Sequence, residues 1–282
     1  MLIDTHAHLN FNAYKKDLNE VIKISLENGV EIINIGSQYE TSKKAVEIAE
    51  RYGKGIYAAV GFHPTHAITD LVKVKMDPEE VVAEEEKEKE FDLEKYKKLA
   101  LSASERVMAI GEVGLDYYYK PKTKKKLELF KEKQRTVLCQ QLELAKELNL
   151  PVIFHCRVAH DDLIEILKKY PEIKGVIHCF TGNLEQAKKY LEMGFFLGFN
   201  GIIFKLNLNE IVEKVPLDKI LIETDCPYLI PPLARRSLEG EGGRNEPLFV
   251  KYVAEKIAEI KNISFEKVAE ITTQNARKLF RI

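Results

Sequence analysis

The chain has 282 residues, of which 45% are hydrophobic and 31% are charged, and its formal net charge is −1. This composition excludes a disordered or fibrous protein, and the near-neutral charge means that any site for a polyanion requires a local basic patch. The first residues lack the regions of a signal peptide, and no apolar run is long enough to span a bilayer. The sequence therefore predicts a cytoplasmic protein without a membrane partner, and no obligate protein partner is evident.

Short apolar runs alternate with amphipathic stretches of helical length along the whole chain, which is typical of repeated βα units. Their nearly continuous apolarity suits parallel strands buried on both faces. The length alone fits either one large barrel or two ordinary domains. Eight strands are predicted near residues 2–6, 31–36, 56–62, 107–112, 151–155, 175–178, 195–199 and 219–225.

The predicted helices fill the gaps between these strands. Gly29, Gly53 and Gly194 stand where a left-handed residue ends a helix. An apolar stripe at three-to-four spacing between residues 127 and 148 predicts a long helix after the fourth strand. The highly charged stretch from about 67 to 105 is predicted to be a solvated helical insertion after the third strand, with Glu85–Lys89 and Glu94–Lys98 pairs four residues apart.

Potential metal ligands recur at the ends of the predicted strands. In an open sheet these residues would spread along an edge, whereas in a closed (β/α)₈ TIM barrel the carboxyl ends of all strands meet at one mouth. The pattern therefore favours a single-domain barrel spanning residues 1–282. The residues are His6 and His8 on the first strand, His63 after the third, Glu112 on the fourth, His155 on the fifth, His178 on the sixth and Asp225 on the eighth.

The type of ligand indicates the type of metal site. His6 and His8 are two residues apart on a strand, so both rings face one side, although such a pair alone is more often a surface or core feature. Imidazoles and carboxylates without thiolates suit Zn²⁺, Mn²⁺ or partly hydrated Mg²⁺. One ion could not bind all six ligands and keep an open position, whereas two ions ~3.5–4 Å apart could, with a bridging carboxylate. Glu112 is the natural bridge.

Eight short motifs follow one another along the chain: IDTHAHLNF at 3–11, VGFHPTHA at 60–67, IGEVGLDYY at 110–118, IFHCR at 153–157, GVIHCFTG at 175–182, GFFLGFNG at 194–201, ETDCPYL at 223–229 and RNEP at 244–247. Through these motifs the chain resembles the TatD family of metal-dependent deoxyribonucleases over essentially its whole length. The resemblance implies that His6, His8, Glu112 and Asp225 hold a first ion and that Glu112, His155 and His178 hold a second. It also implies a phosphate-contacting or water-positioning role for His63 and an orienting role for Asp225 toward the attacking water.

The residues beside the ligands have both structural and functional interpretations. Glu223 shares a strand face with Asp225 and is a candidate hydrogen-bond partner for a ligand histidine. Cys156, Cys179 and Cys226 each follow a predicted ligand, and strand alternation predicts that they are buried, reduced and turned toward the helices.

Basic and aromatic residues near the strand ends are candidate substrate contacts. Lys124 belongs to a lysine run that opens a helix, where positive charge opposes the helix dipole unless an anion binds. Tyr117 belongs to a run of three tyrosines that could stack on unpaired bases or simply pack. Arg157 and Arg244 lie within the motifs and are the preferred phosphate ligands, ahead of Arg235 and Arg236.

Three functions remain open at this stage. The leading one is exonucleolytic hydrolysis of phosphodiester bonds at the ends of DNA strands by a binuclear centre. A metal-dependent amidohydrolase or esterase, acting on C–N, carboxylic ester or aminoacyl ester bonds, would use the same chemistry. A metal-dependent interaction module without activity is the third.

Overall fold

The computed structural model describes residues 1–74, 79–80, 88, 90–237 and 243–282, with the side chains of 235–237 excluded. One parallel sheet contains eight strands in the order of the chain. Beyond the ends of the ladder, the Asp225 amide donates to the His6 carbonyl at 2.8 Å and the His8 amide donates to the Cys226 carbonyl at 2.9 Å, which joins the last strand to the first. The strands are β1 Leu2–Ala7, β2 Val30–Ile35, β3 Ile56–Val60, β4 Val107–Asp116, β5 Val152–Arg157, β6 Gly175–Ile177, β7 Phe196–Phe199 and β8 Ile220–Ile222.

The predicted TIM barrel is therefore confirmed, and helices alternate with its strands. Gly29, Gly53 and Gly194 adopt positive φ angles of 73°, 69° and 90° where helices end or the chain turns toward the next strand, as predicted. The helices of the described chain are α1 Leu18–Glu27, α2 Tyr39–Tyr52, α3 Leu93–Ser102, α4 Lys124–Leu148, α5 His160–Leu167, α6 Leu184–Glu192, α7 Asn209–Lys214, α8 Pro232–Ser237, α9 Val250–Lys261 and α10 Phe265–Phe280. None of them is both long and apolar enough to cross a membrane.

The last helix covers the amino-terminal end of the barrel. Leu279 and Phe280 of α10 belong to the same buried cluster as Ile3 and Ile33 of the strands. The Asn275 side-chain amide donates to the carbonyls of Leu217 and Ile220, where β8 begins. Because α10 lies across this end, the barrel offers its opposite, carboxyl end for a site, as barrel enzymes generally do.

The insertion after β3 contains the helix α3, as predicted, but one face of this helix is buried instead of solvated. Tyr96 is fully buried on α3, and its ring lies 4.9 Å from Phe91. Glu80 and Val74 line the cavity at the carboxyl end of the barrel. Apolar contacts thus hold this segment against the barrel despite its charge. The predicted Glu85–Lys89 pair lies outside the described residues.

Candidate metal centre

The predicted metal ligands converge at the carboxyl end of the barrel around Glu112. Its carboxylate oxygens lie 3.5 Å from His6 Nε2, 2.8 Å from His155 Nδ1 and 3.2 Å from His178 Nε2. On the other side, Asp225 Oδ1 is 3.6 Å from His8 Nε2. Residues of five strands or strand ends therefore bring their donor atoms within a few ångströms of each other.

Hydrogen bonds fix which ring nitrogens face the centre. His8 Nδ1 lies 3.1 Å from the Ile35 carbonyl, which can only accept, so Nδ1 carries the proton and the Nε2 lone pair of the neutral ring faces Asp225. His178 Nδ1 lies 3.0 Å from Glu223 Oε1, so Nδ1 again carries a proton and Nε2 points toward the centre. Metal-binding histidines are oriented in this way. Once a metal displaces the second proton of each ring, the Nε2 lone pairs face the centre, so a cation fits this donor set.

Glu223 lies beside the ligand histidine, in the position expected from the sequence. Its Oε1 also accepts from the Cys179 amide at 2.7 Å and from Asn200 Nδ2 at 3.0 Å. Gly198 leaves room for this carboxylate, because a Cβ atom there would lie 2.5 Å from Glu223 Oε2. Three donors and a glycine thus hold Glu223 in one orientation.

His63 is also close to Glu112, at 3.6 Å between Nε2 and Oε1. With Glu112 and His155 it forms one of three groups whose donor atoms lie within 4.8 Å of one another; the others are His6, His8 and Glu112, and His6, His178 and Glu223. However, the Thr65 amide donates to His63 Nδ1 at 3.3 Å, and Thr65 Oγ1, which can donate as well, lies 2.7 Å from the same nitrogen. With Nδ1 accepting both, the proton of the neutral ring is on Nε2, which points into the site as a donor and not as a lone pair.

Asp116 is a residue of the site that the sequence prediction missed. It is 3% exposed, and its Oδ2 lies 3.1 Å from His155 Nε2. It follows Glu112 by four residues on β4, so the alternation of a strand places both side chains on one face. The prediction ended this strand at residue 112 and thereby removed Asp116 from that face.

Without metal, the carboxylates and imidazoles of the centre shift each other's pKa values. Burial favours the protonated form of Glu112, but the positive field of neighbouring histidines and the hydrogen bonds with His155 and His178 hold the pKa of its carboxyl well below the usual range. Burial opposes the charge of His155, yet hydrogen bonds to Asp116 and Glu112 raise its pKa to about 9. Burial and the neighbouring His155 lower the pKa of His63 to about 3, so His63 is neutral. The excess of carboxylate charge must be balanced by protons or by a metal cation.

A cavity of about 450 Å³ opens over these groups. Cys179 lines it, contrary to the prediction that it faces the helices. Cys156 is buried in the core with its thiol 4.0 Å from the hydroxyl of Tyr190 on α6, and Cys226 is fully buried, both as expected. Strand alternation fails at Cys179 because β6 ends at Ile177 and Cys179 has a left-handed φ of 46°.

Only some of the candidate substrate-contacting residues lie at the cavity. Arg157 lines the cavity. Tyr117 is 5% exposed, and its hydroxyl donates to Asp162 at 2.9 Å. Lys124 is exposed in the first turn of α4 and is not among the described residues lining the cavity.

Arg244 does not reach the cavity, in contrast to the prediction that it binds phosphate. Its guanidinium donates to Asp17 at 2.6 Å and to Glu246 at 3.3 Å, and it stacks on Tyr14 with the guanidinium carbon 4.3 Å from the ring centroid. It thus joins the segment after β8 to the start of α1. The side chains of Arg235 and Arg236 fall outside the described residues.

Comparisons with known proteins agree with this architecture. A family model described as TatD related DNase matches residues 3–281. The uncharacterized metal-dependent hydrolase YabD of Bacillus subtilis is 43% identical, covering 100% of both chains. A protein of Erwinia tasmaniensis named 3'-5' ssDNA/RNA exonuclease TatD is 31% identical, again over 100% of both chains. The crystal structure of YJJV, a TatD homologue from Escherichia coli K12, superposes with a TM-score of 0.80 at 28% identity, covering 100% of this chain and 98% of that one.

Proposed function

The chain belongs to the TatD related DNase family of metal-dependent hydrolases, and on that premise we propose that it hydrolyses phosphodiester bonds at the ends of DNA strands with two divalent metal ions. The observation that carries the proposal is the position of Glu112, whose carboxylate contacts His6 on one side and His155 and His178 on the other. A carboxylate between two sets of imidazoles suits a bridge between two ions.

The ligand assignment is the one that the family resemblance implies, and these contacts support it. His6, His8, Glu112 and Asp225 would hold the first ion, and Glu112, His155 and His178 the second. When bound, Mg²⁺, Mn²⁺ or Zn²⁺ would neutralise the negative charge of the phosphodiester group and help to activate water.

Two side chains of the cavity would act on the substrate and on water. His63 is neutral and directs its Nε2–H into the cavity, so it would donate a hydrogen bond to a phosphate oxygen. The carboxylate of Asp225 lines the cavity, and although burial opposes its ionisation, the hydrogen bond to His8 lowers its pKa. An ionised Asp225 would accept a proton from the attacking water and orient it.

The substrate class rests on the family and on the surroundings of the cavity. Arg157, at the rim, would bind a flanking phosphate, and Lys124 would contribute at a greater distance, whereas Tyr117 is buried and bonded to Asp162 and would only support the wall beside Arg157. We retain Lys124 only as an electrostatic contact, because it lies in an exposed turn. Arg244 has no place in this proposal, since its guanidinium is engaged elsewhere.

The test is reconstitution of metal-free protein with Mg²⁺, Mn²⁺ or Zn²⁺, followed by incubation with end-labelled DNA in parallel with carboxylic ester and amide substrates. We expect metal-dependent shortening of the DNA from its ends, without turnover of the ester or the amide. Protein kept in chelator is the control. Turnover of the ester or amide with intact DNA would replace the proposal by the amidohydrolase or esterase alternative.

A further inference from the structure

A second groove continues from the metal cavity along the barrel rim. It has a volume of about 810 Å³ and lies between the segments that follow β4, β5 and β6. Arg157, Thr181 and Ile202 line both the groove and the metal cavity. A chain bound at the metal centre can therefore extend into this groove without leaving the protein surface.

Arg157 and Tyr118 form a stacked pair at the junction. The guanidinium carbon of Arg157 lies 3.6 Å from the centroid of the Tyr118 ring, which is 55% exposed. The Tyr118 amide donates to Asp116 Oδ1 at 2.8 Å, and the other oxygen of Asp116 contacts His155. The stacked pair is thus tied to the metal centre through one carboxylate.

Exposed apolar side chains stand beside this pair. Val158 is 63% exposed and has a φ of 59°, a left-handed conformation that a β-branched residue rarely adopts. Glycine would take this conformation without strain, so an isopropyl group held in solvent there has no evident structural purpose. Leu206, 45% exposed, also lines the groove.

Arg157 is available to a phosphate because the aspartates of the groove bind other groups. Asp162 pairs with Lys131 at 3.0 Å, and Asp161 accepts a hydrogen bond from the side-chain amide of Gln186 at 2.9 Å. Within the described part of the chain, the Arg157 guanidinium forms no ion pair, and it stacks on the Tyr118 ring. An exposed guanidinium without a carboxylate partner is suited to bind phosphate bidentately.

A carboxylate also lines the metal cavity, on the segment inserted after β3. There Glu80 accepts from Gln38 and contacts His66 at 3.0 Å. Burial opposes its ionisation, but His66 and the hydrogen bonds lower the pKa of Glu80 to about 2. Because Glu80 repels phosphate and Arg157 forms no ion pair with a described residue, a phosphodiester chain is expected to leave the centre toward Arg157.

We infer that Tyr118, Arg157, Val158 and Leu206 form a subsite for an unpaired nucleotide one linkage beyond the scissile one, which a dinucleotide lacks, with its base packed on the apolar groups and its phosphate on Arg157. The inference rests on the proposed function and adds the path of the strand. Stacking on aromatic and guanidinium planes is sequence-tolerant, so the subsite would accept any base of a single strand.

The experiment measures kcat/KM for single-stranded oligonucleotides of two, three, four and six nucleotides with the metal-loaded enzyme. The kcat/KM of the parent enzyme should increase from the dinucleotide to the tetranucleotide. Tyr118→Ala should reduce that increase roughly 10-fold, by raising KM more than it lowers kcat. Leu206→Ala should reduce it by a smaller factor, and Tyr118→Phe should restore it. Tyr252→Ala is the matched control, because Tyr252 also contacts a cation, Lys251, at 5.0 Å, but lies on α9.

The outcomes separate the two proposals. If the parent hydrolyses no oligonucleotide with any metal, the proposed function itself is wrong. If it hydrolyses all lengths and Tyr118→Ala has the same length dependence as Tyr252→Ala, the enzyme stands and the subsite is overturned.

Discussion

Glu112 carries more of the proposed centre than any other single residue, because its two oxygens contact histidines from both presumed ion sites. Glu112→Ala should abolish activity and reduce the metal content from two ions to one or fewer per chain. Metal analysis by mass spectrometry after gel filtration measures this directly. Glu94→Ala, which changes an exposed glutamate on α3, is the control. An active Glu112→Ala enzyme that retains two ions would disprove the binuclear assignment.

His63 tests whether a nearby imidazole is a ligand or a donor. Because its Nε2 carries the proton, His63→Ala should leave the metal content unchanged while it lowers kcat by roughly 10²–10³, the usual loss for one donor that stabilises developing charge. His63→Gln can supply an amide N–H and should recover part of that loss. Loss of one metal ion in His63→Ala would instead make His63 a ligand in the group with Glu112 and His155.

At the scale of elements, the sequence predicts the strands and the ligands at their ends, because both depend on local pattern. The site residues that it misplaces lie where a strand ends later or earlier than predicted. β4 continues to Asp116, which places that carboxylate beside His155. β6 stops before Cys179, which turns its thiol toward the cavity. The role of Arg244 could not be predicted either, since its partner Asp17 is 227 residues away in the sequence.

The junction between β1 and the segment after β8 depends on one buried acid, Asp4. Its Oδ1 accepts from the Thr224 amide at 2.8 Å and its Oδ2 lies 2.6 Å from Thr224 Oγ1. Asp4→Ala leaves these buried groups without a partner, so we expect the free energy of unfolding to fall by about 1–3 kcal/mol. Because Thr224 precedes Asp225, metal affinity should fall as well. Urea unfolding and a metal titration measure the two effects.

The same acid makes stability depend on pH. Burial, against the hydrogen bonds from Thr224, raises the pKa of Asp4 from 3.8 to about 8. Between these values the folded state keeps a proton that the unfolded state has lost, so this contribution to stability decreases as the pH rises from about 4 to about 8. Asp4→Asn cannot titrate and should lose less stability than the parent between pH 5 and pH 8. Equal losses in both proteins would show that Asp4 ionises normally.

At the scale of the whole molecule, the centre exists only when the barrel is closed. His6 and Asp225 come from opposite ends of the chain and meet through hydrogen bonds between β1 and the segment after β8. An ion that binds this assembled site does not bind the unfolded chain equally well. Metal should therefore raise the unfolding midpoint, increasingly so with its concentration.

Protons and metal compete for the same nitrogens, and this competition gives the last prediction. In the metal-free centre, the pKa of His155 is raised to about 9 and that of His178 is raised well above 6.5, in both cases against the effect of burial. Below about pH 9, metal must displace a proton from His155, so its apparent affinity increases as the pH rises toward that value. At limiting metal, activity should fall on the acid side.

Raising the metal concentration should move this acid limb to lower pH, because bound metal keeps the rings deprotonated. Asp116→Asn should move it the same way, since the Asp116 carboxylate helps to raise the pKa of His155. The measurement is a set of pH–rate profiles at several Mn²⁺ concentrations for the parent, Asp116→Asn and His63→Ala. His63→Ala should show the same shift of the acid limb with Mn²⁺, because His63 is neutral in the parent and metal does not displace a proton from it. An acid limb that stays fixed while Mn²⁺ varies would mean that these histidines do not bind the metal that supports catalysis.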